Sequence, residues 1–146
     1  MVRRLASAWQ GFQFELLIAF IFAVSGLPLA IGVAPNPTSI IAVLPDLARI
    51  VWGILLSTGG LLVIWGILWR YHNPLKFVSG LYLERAGLYM LGSSTAVFVL
   101  AIVVFAGTAG YFAGMTYGAF AAACASRTRS IAKEISIIRE HGTSEQ

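Results

Sequence analysis

The sequence predicts an all-α fold: an integral membrane bundle of four transmembrane helices plus a short amphipathic C-terminal helix. Three observations carry this expectation. Of 146 residues, 58% are hydrophobic and only 11% charged, with mean hydropathy +0.83; soluble domains run at about a quarter charged residues. Four stretches hold no charged residue and are long enough to cross hydrocarbon. Nine of the ten Lys and Arg residues fall on one side of those stretches. The length suits a single membrane domain over residues 1–146.

The spans are 16–34, 50–69, 86–106 and 108–125. At ~1.5 Å of rise per residue each reaches roughly 27–32 Å, close to the ~30 Å hydrocarbon core. Backbone amides find no water there, so the stretches must be helical. Pro28 removes one hydrogen bond from the first and predicts a kink. Gly107-Thr108-Ala109-Gly110 offers a tight reversal between the last two. Charge supports that reversal. Arg3, Arg4, Arg70, Lys76, Arg85, Arg127, Arg129, Lys133 and Arg139 then share one side, with Arg49 alone opposite. Three spans would divide the ten basic residues five and five. Basic residues gather on the cytoplasmic side, which predicts a multi-pass protein of the inner (cytoplasmic) membrane with both termini inside.

Trp9, Trp69 and Tyr71 fall at the expected inner interface and Trp52 near the outer one. The outer loop, 35–49, holds Pro35, Pro37 and Pro45 around an apolar segment suited to the membrane surface. The inner loop, 71–85, opens with Asn73-Pro74 and carries apolar Leu75, Phe77, Val78 and Leu81. In the cytoplasmic tail, 126–146, Ile131, Ile135 and Ile138 share a helical face flanked by basic residues, and Gly142 is a natural stop. That helix suits an anionic leaflet, solvent or a partner. Arg3-Arg4, an apolar run and Ala23-Val24-Ser25 imitate a signal peptide, but Glu15 interrupts the approach and apolar sequence continues beyond. The segment reads as an anchor.

Two patterns are candidates for function. Gly110, Gly114, Gly118 and Ala122 recur every four residues in the fourth span. Absent side chains let a second helix approach closely, either a neighbour in the same chain or another copy. Ser25, Ser57, Thr58, Ser93, Ser94, Thr95 and Thr116 form a second pattern, hydroxyls near the middle of every span. They suit a wet path or interhelical bonds, or else each hydroxyl bonds a carbonyl of its own helix. No charged residue or histidine lies within a span, which disfavours a small-solute channel or transporter. Glu15, at the expected start of the first helix, is accounted for by the helix dipole.

Catalysis is not expected. His72 and His141 stand in no metal-ligand spacing, the single Cys124 has no base beside it, and no nucleotide or hydrolase motif occurs. No metal, cofactor or small-molecule substrate is indicated. The basic pI near 9.6 is explained by topology rather than by nucleic acid. The expected partners are the lipid bilayer and either further copies or a larger membrane complex.

The run Leu83-Glu84-Arg85-Ala86-Gly87-Leu88, a Gly/Ala-rich hairpin, Ala121-Ala122-Ala123-Cys124, and Arg127 and Arg129 before an Ile-rich tail resemble small membrane proteins of actinobacterial bacteriophages, some of them holin-like. The likeness covers roughly the last 65 residues and rests on composition and order. It implies a pore former that accumulates, then oligomerises into lesions that release a wall hydrolase. Four spans depart from the two or three commoner among holins. The alternative is a non-catalytic accessory or structural subunit of a larger membrane complex.

Overall fold

A computed structural model describes residues 2–33, 45–72, 77–106 and 110–143. These form four α-helices and no strand: α1 (Val2–Ala30), α2 (Asp46–His72), α3 (Phe77–Ala106) and α4 (Tyr111–Thr143). Asp46–Arg70 and Phe77–Val104 are each long and apolar enough to cross a membrane, both with mean hydropathy 2.0, and Glu15–Ala30 is a shorter apolar stretch.

The helices outrun the expected spans at the ends expected to be inside. α1 starts at Val2, so Glu15 sits in mid-helix and the dipole account of it is corrected. α3 starts at Phe77, which moves Glu84 and Arg85 from the expected inner loop into a helix. No break separates the fourth span from the expected C-terminal helix; α4 runs on through Gly142 to Thr143. Good helix formers such as Arg129, Ala132, Lys133 and Glu134 supply nothing to stop it. The expected turn residues 107–109, the loop residues 34–44 and 73–76, and the side chains of Trp9, Tyr71 and Arg139 lie outside the described set.

Local chemistry explains the ends that are described. Pro28 lies inside α1, and its carbonyl accepts from Val33 N at 2.9 Å while that of Leu29 accepts from Gly32 N at 3.1 Å. This paired closure needs a left-handed residue, supplied by Gly32 at φ 78°. α2 opens with Asp46 in its first turn, which the dipole favours, paired with Arg49. The Pro45 carbonyl accepts from Arg49 N at 3.1 Å.

Consecutive helices pack antiparallel, and glycines set how closely. α1 and α2 meet at Gly26 and Gly53, where a Cβ on Gly53 would lie 2.5 Å from Ala30 N. They meet again where Gly60 faces Ala19 and Ala23. On its other side α2 meets α3 at Gly59 with Gly87 and at Gly66 with Gly80. Each pair of contacts is seven residues apart on both partners: 19 and 26 against 60 and 53, 59 and 66 against 87 and 80. That is the spacing of a left-handed helical seam. The core around Ala19, Leu56, Val63, Ile67, Leu91 and Cys124 follows these seams.

Aromatic side chains complete the half of the bundle away from the chain termini. Phe98 stacks on Trp52 of α2 at 4.4 Å and meets Tyr117 of α4 edge-on at 4.9 Å. α1 and α4 close the bundle through the Phe22–Phe120 stack at 4.5 Å. Large apolar side chains such as Phe20, Ile54, Leu61, Leu100, Val104 and Phe112 remain exposed.

Candidate functional site

Charge collects at one end of the bundle, the end expected to face the cytoplasm, and every helix contributes to it. Glu15 from α1, Arg70 from α2, Glu84 from α3 and Arg127 from α4 stand at one level. Antiparallel packing brings this about: Glu15 and Glu84 precede apolar stretches, whereas Arg70 and Arg127 follow them.

Glu84 is the centre. Its side chain is 1% exposed, and Oε1 accepts from Arg127 Nη2 at 2.9 Å and from Nε at 3.1 Å. On the other oxygen, Oε2 lies 3.3 Å from Arg70 Nη1, an ionic approach that makes no hydrogen bond. Arg70 is itself buried, with its guanidinium 5.6 Å from the centre of the Phe77 ring. Arg127 also reaches Glu15 at 3.5 Å and Glu134 at 3.6 Å. Burial works against the charge on Arg127, but Glu84 and Glu15 outweigh it and its pKa is raised. The guanidinium therefore stays charged and ties three helices together.

Beside this cluster, between α1 and α4, lies a cavity of about 430 Å³. Ile18, Val63, Leu88, Leu91 and Phe120 give it apolar walls, and Glu15, Glu84 and Arg127 close its inner end. Glu15 Oε2 is buried there without a hydrogen bond. Cys124 also lines the cavity and is a free thiol. No group of three or more metal-ligating side chains suited to an ion occurs among the described residues.

The midplane hydroxyls do not converge. Ser25, Ser93, Thr95 and Thr116 donate to carbonyls of their own helices, at Phe22, Met90, Leu91 and Phe112. Ser57 alone among them donates across a helix pair, to the Ala23 carbonyl at 3.1 Å. Ser94 Oγ is buried without a partner, in a groove between α2 and α3, and Thr58 is exposed.

The four-residue stripe divides along α4. Gly110 and Gly114 are buried, but a Cβ on Gly114 would come no nearer than 3.8 Å to Ile102. A Cβ on Gly118 would meet nothing within 4 Å, and Ala122 is exposed. Closer approaches lie elsewhere, among α1, α2 and α3 and where a Cβ on Gly92 of α3 would come within 3.2 Å of Cys124 Cβ on α4.

In the sequence Arg70 and Arg127 bear on topology and Glu84 enters only through the resemblance, so the cluster does not emerge from either. The signal was present: negative, positive, negative and positive side chains alternate at the inner ends of four successive apolar stretches. No protein-family model matches the chain, and no curated protein or solved structure is significantly similar to it.

Proposed function

We propose that the chain is a non-catalytic protein crossing the inner membrane four times, with both termini cytoplasmic, and that it serves as an accessory subunit packed beside other membrane components. One observation carries this reading: apolar residues cover the outside of the helices while the buried charges gather at one end. Less than half of each of the two long apolar segments is buried within the chain, 44% and 33%. A core helix of a soluble protein would be mostly covered, so these faces require lipid or partner helices. The ionic cluster then sits at the cytoplasmic headgroup level, where basic residues gather. Glycine seams and the four-helix cluster favour one closed unit. Hydroxyls engaged within their own helices give no support to a water path.

A holin-like pore former is the second reading. Gly118 and Ala122 favour it, because the chain's own helices leave this part of α4 uncovered. Reporter fusions at each terminus test the topology; a carboxyl end reached by reagents outside intact cells overturns it. Induced expression with a membrane-potential dye separates the two functions. Steady growth with intact potential, and copurification with a fixed partner, is expected of the accessory subunit. Abrupt depolarisation at a reproducible time selects the pore former.

A further inference from the structure

We infer that the cavity between α1 and α4 binds an amphiphilic cation, an alkylammonium whose chain lies among the apolar walls and whose head rests against Glu15. Its volume of about 430 Å³ is that of a small-molecule site, which typically spans roughly 300–1,000 Å³ with apolar walls and few polar groups. Two rungs between α1 and α4 bound it, the Phe22–Phe120 stack and the Glu15–Arg127 pair. Seven residues of α1 separate these rungs, ~10 Å of helix, the reach of a medium-length alkyl chain.

Charge selects the head. Glu15 and Glu84 face the cavity against one guanidinium, Arg127. Adding Arg70 and Glu134, the cluster holds three carboxylates and two guanidiniums. Arg127 is engaged by three carboxylates, so an anionic head would compete with all of them. Glu84 Oε2 has Arg70 beside it, whereas Glu15 keeps one buried oxygen, Oε2, that accepts no hydrogen bond. Such a group is costly to leave unmet, and a cation beside Glu15 satisfies it. Glu15 is also reachable, with 37% of its side chain exposed, and Ala123 at the cavity rim is exposed. The amine has two possible sources, a lipid headgroup or a free hydrophobic amine.

This inference goes beyond the membrane reading, and one experiment keeps the two apart. The full chain is reconstituted into phosphatidylglycerol nanodiscs; co-elution with the discs reports on the membrane reading by itself. Radiolabelled octyltrimethylammonium is then titrated, with empty discs subtracted. Saturable binding of one molecule per chain is expected, displaced by the unlabelled cation and not by octyl sulfate, which carries the same chain and the opposite charge. Glu15→Gln should weaken binding about tenfold, the loss of one charged partner. Ala123→Trp, which fills the mouth, should abolish it, with co-elution unchanged in both variants. Displacement by added phosphatidylethanolamine identifies a lipid amine as the occupant; its failure to displace identifies a free amine. Absence of saturable binding, equal displacement by octyl sulfate, or wild-type affinity in Glu15→Gln overturns the assignment.

Discussion

Replacing Glu84 with Leu tests the ionic cluster where it is most buried. The substitution removes a carboxylate that is 1% exposed and leaves two guanidiniums behind. Arg127 suffers less, because it is 23% exposed and retains Glu15 at 3.5 Å and Glu134 at 3.6 Å. Arg70 suffers more: its side chain is only 6% exposed, and it loses the carboxylate that lies 3.3 Å from Nη1. Breaking a buried pair by removing one partner costs about 3–5 kcal/mol, mostly the penalty of the charge left behind. With Arg127 still partnered, the lower end applies, about 3 kcal/mol. The same logic predicts recovery. Glu84→Leu combined with Arg70→Met removes both members of the buried pair and should return to within about 1 kcal/mol of the wild type, since apolar replacement of a buried pair is often neutral or better. The assay is a denaturing-detergent titration in mixed micelles followed by helical circular dichroism. Single and double variants that are equally destabilised, or a single variant indistinguishable from wild type, would refute the reasoning.

Glycine position predicts opposite signs for one substitution. Gly66→Ala places a Cβ 2.5 Å from Glu84 N and should destabilise by about 1–3 kcal/mol despite better helix propensity. Gly118→Ala meets nothing within 4 Å and should gain about 0.5–1 kcal/mol in the same titration. Thr95→Val removes a hydroxyl bonded to its own helix at 2.6 Å; stability should change by less than about 1 kcal/mol, since such bonds compete weakly with the backbone. A larger loss would reveal a partner across the bundle. Phe98→Ala strips the ring held between Trp52 and Tyr117 and should cost about 3–5 kcal/mol, read as an earlier unfolding midpoint.

The four helices are legible in the sequence because, on the membrane reading, lipid leaves little choice. A run such as 50–69, free of charge and long enough for a bilayer, has one means of meeting its backbone hydrogen bonds. The same rule is silent on where helices end in water. There, Phe77 to Arg85 and Ser126 to Thr143 continue as helix because their residues form helix readily and nothing interrupts them. That extension carries Glu84 into the bundle. Placing Glu15 at a helix terminus equates the apolar border with the helical one, whereas α1 starts thirteen residues earlier, at Val2. The small-residue seams were legible too, at the wrong period. Four-residue repeats draw the eye to α4, whereas the seven-residue pairs Gly53/Gly60 and Gly59/Gly66 place contacts on two faces of α2. Only antiparallel neighbours with matching pairs at 19/26 and 80/87 make that pattern meaningful.

The seam between α1 and α4 connects the cluster to the two functional readings. Glycine seams hold the α1–α2 and α2–α3 interfaces along their length, whereas a ring stack and a charge pair are the rungs that link α1 to α4. Opening the bundle into a larger pore would begin there, where the fewest contacts are lost, and it would separate Glu15 from Arg127. Glu15→Gln weakens that rung and leaves Glu84 to hold Arg127 in place on α3. At 37% and 23% exposure the pair is partly screened, so the loss in stability should stay within about 1 kcal/mol. A pore former triggered by opening this seam should nonetheless depolarise the membrane earlier after induction, because 1 kcal/mol shifts an opening equilibrium by roughly fivefold. An accessory subunit should leave membrane potential and growth untouched by the same change. Timed dye release and culture density, followed together in the wild type and Glu15→Gln, decide between them. Depolarisation at an unchanged time in both strains would show that permeabilisation does not proceed through this seam.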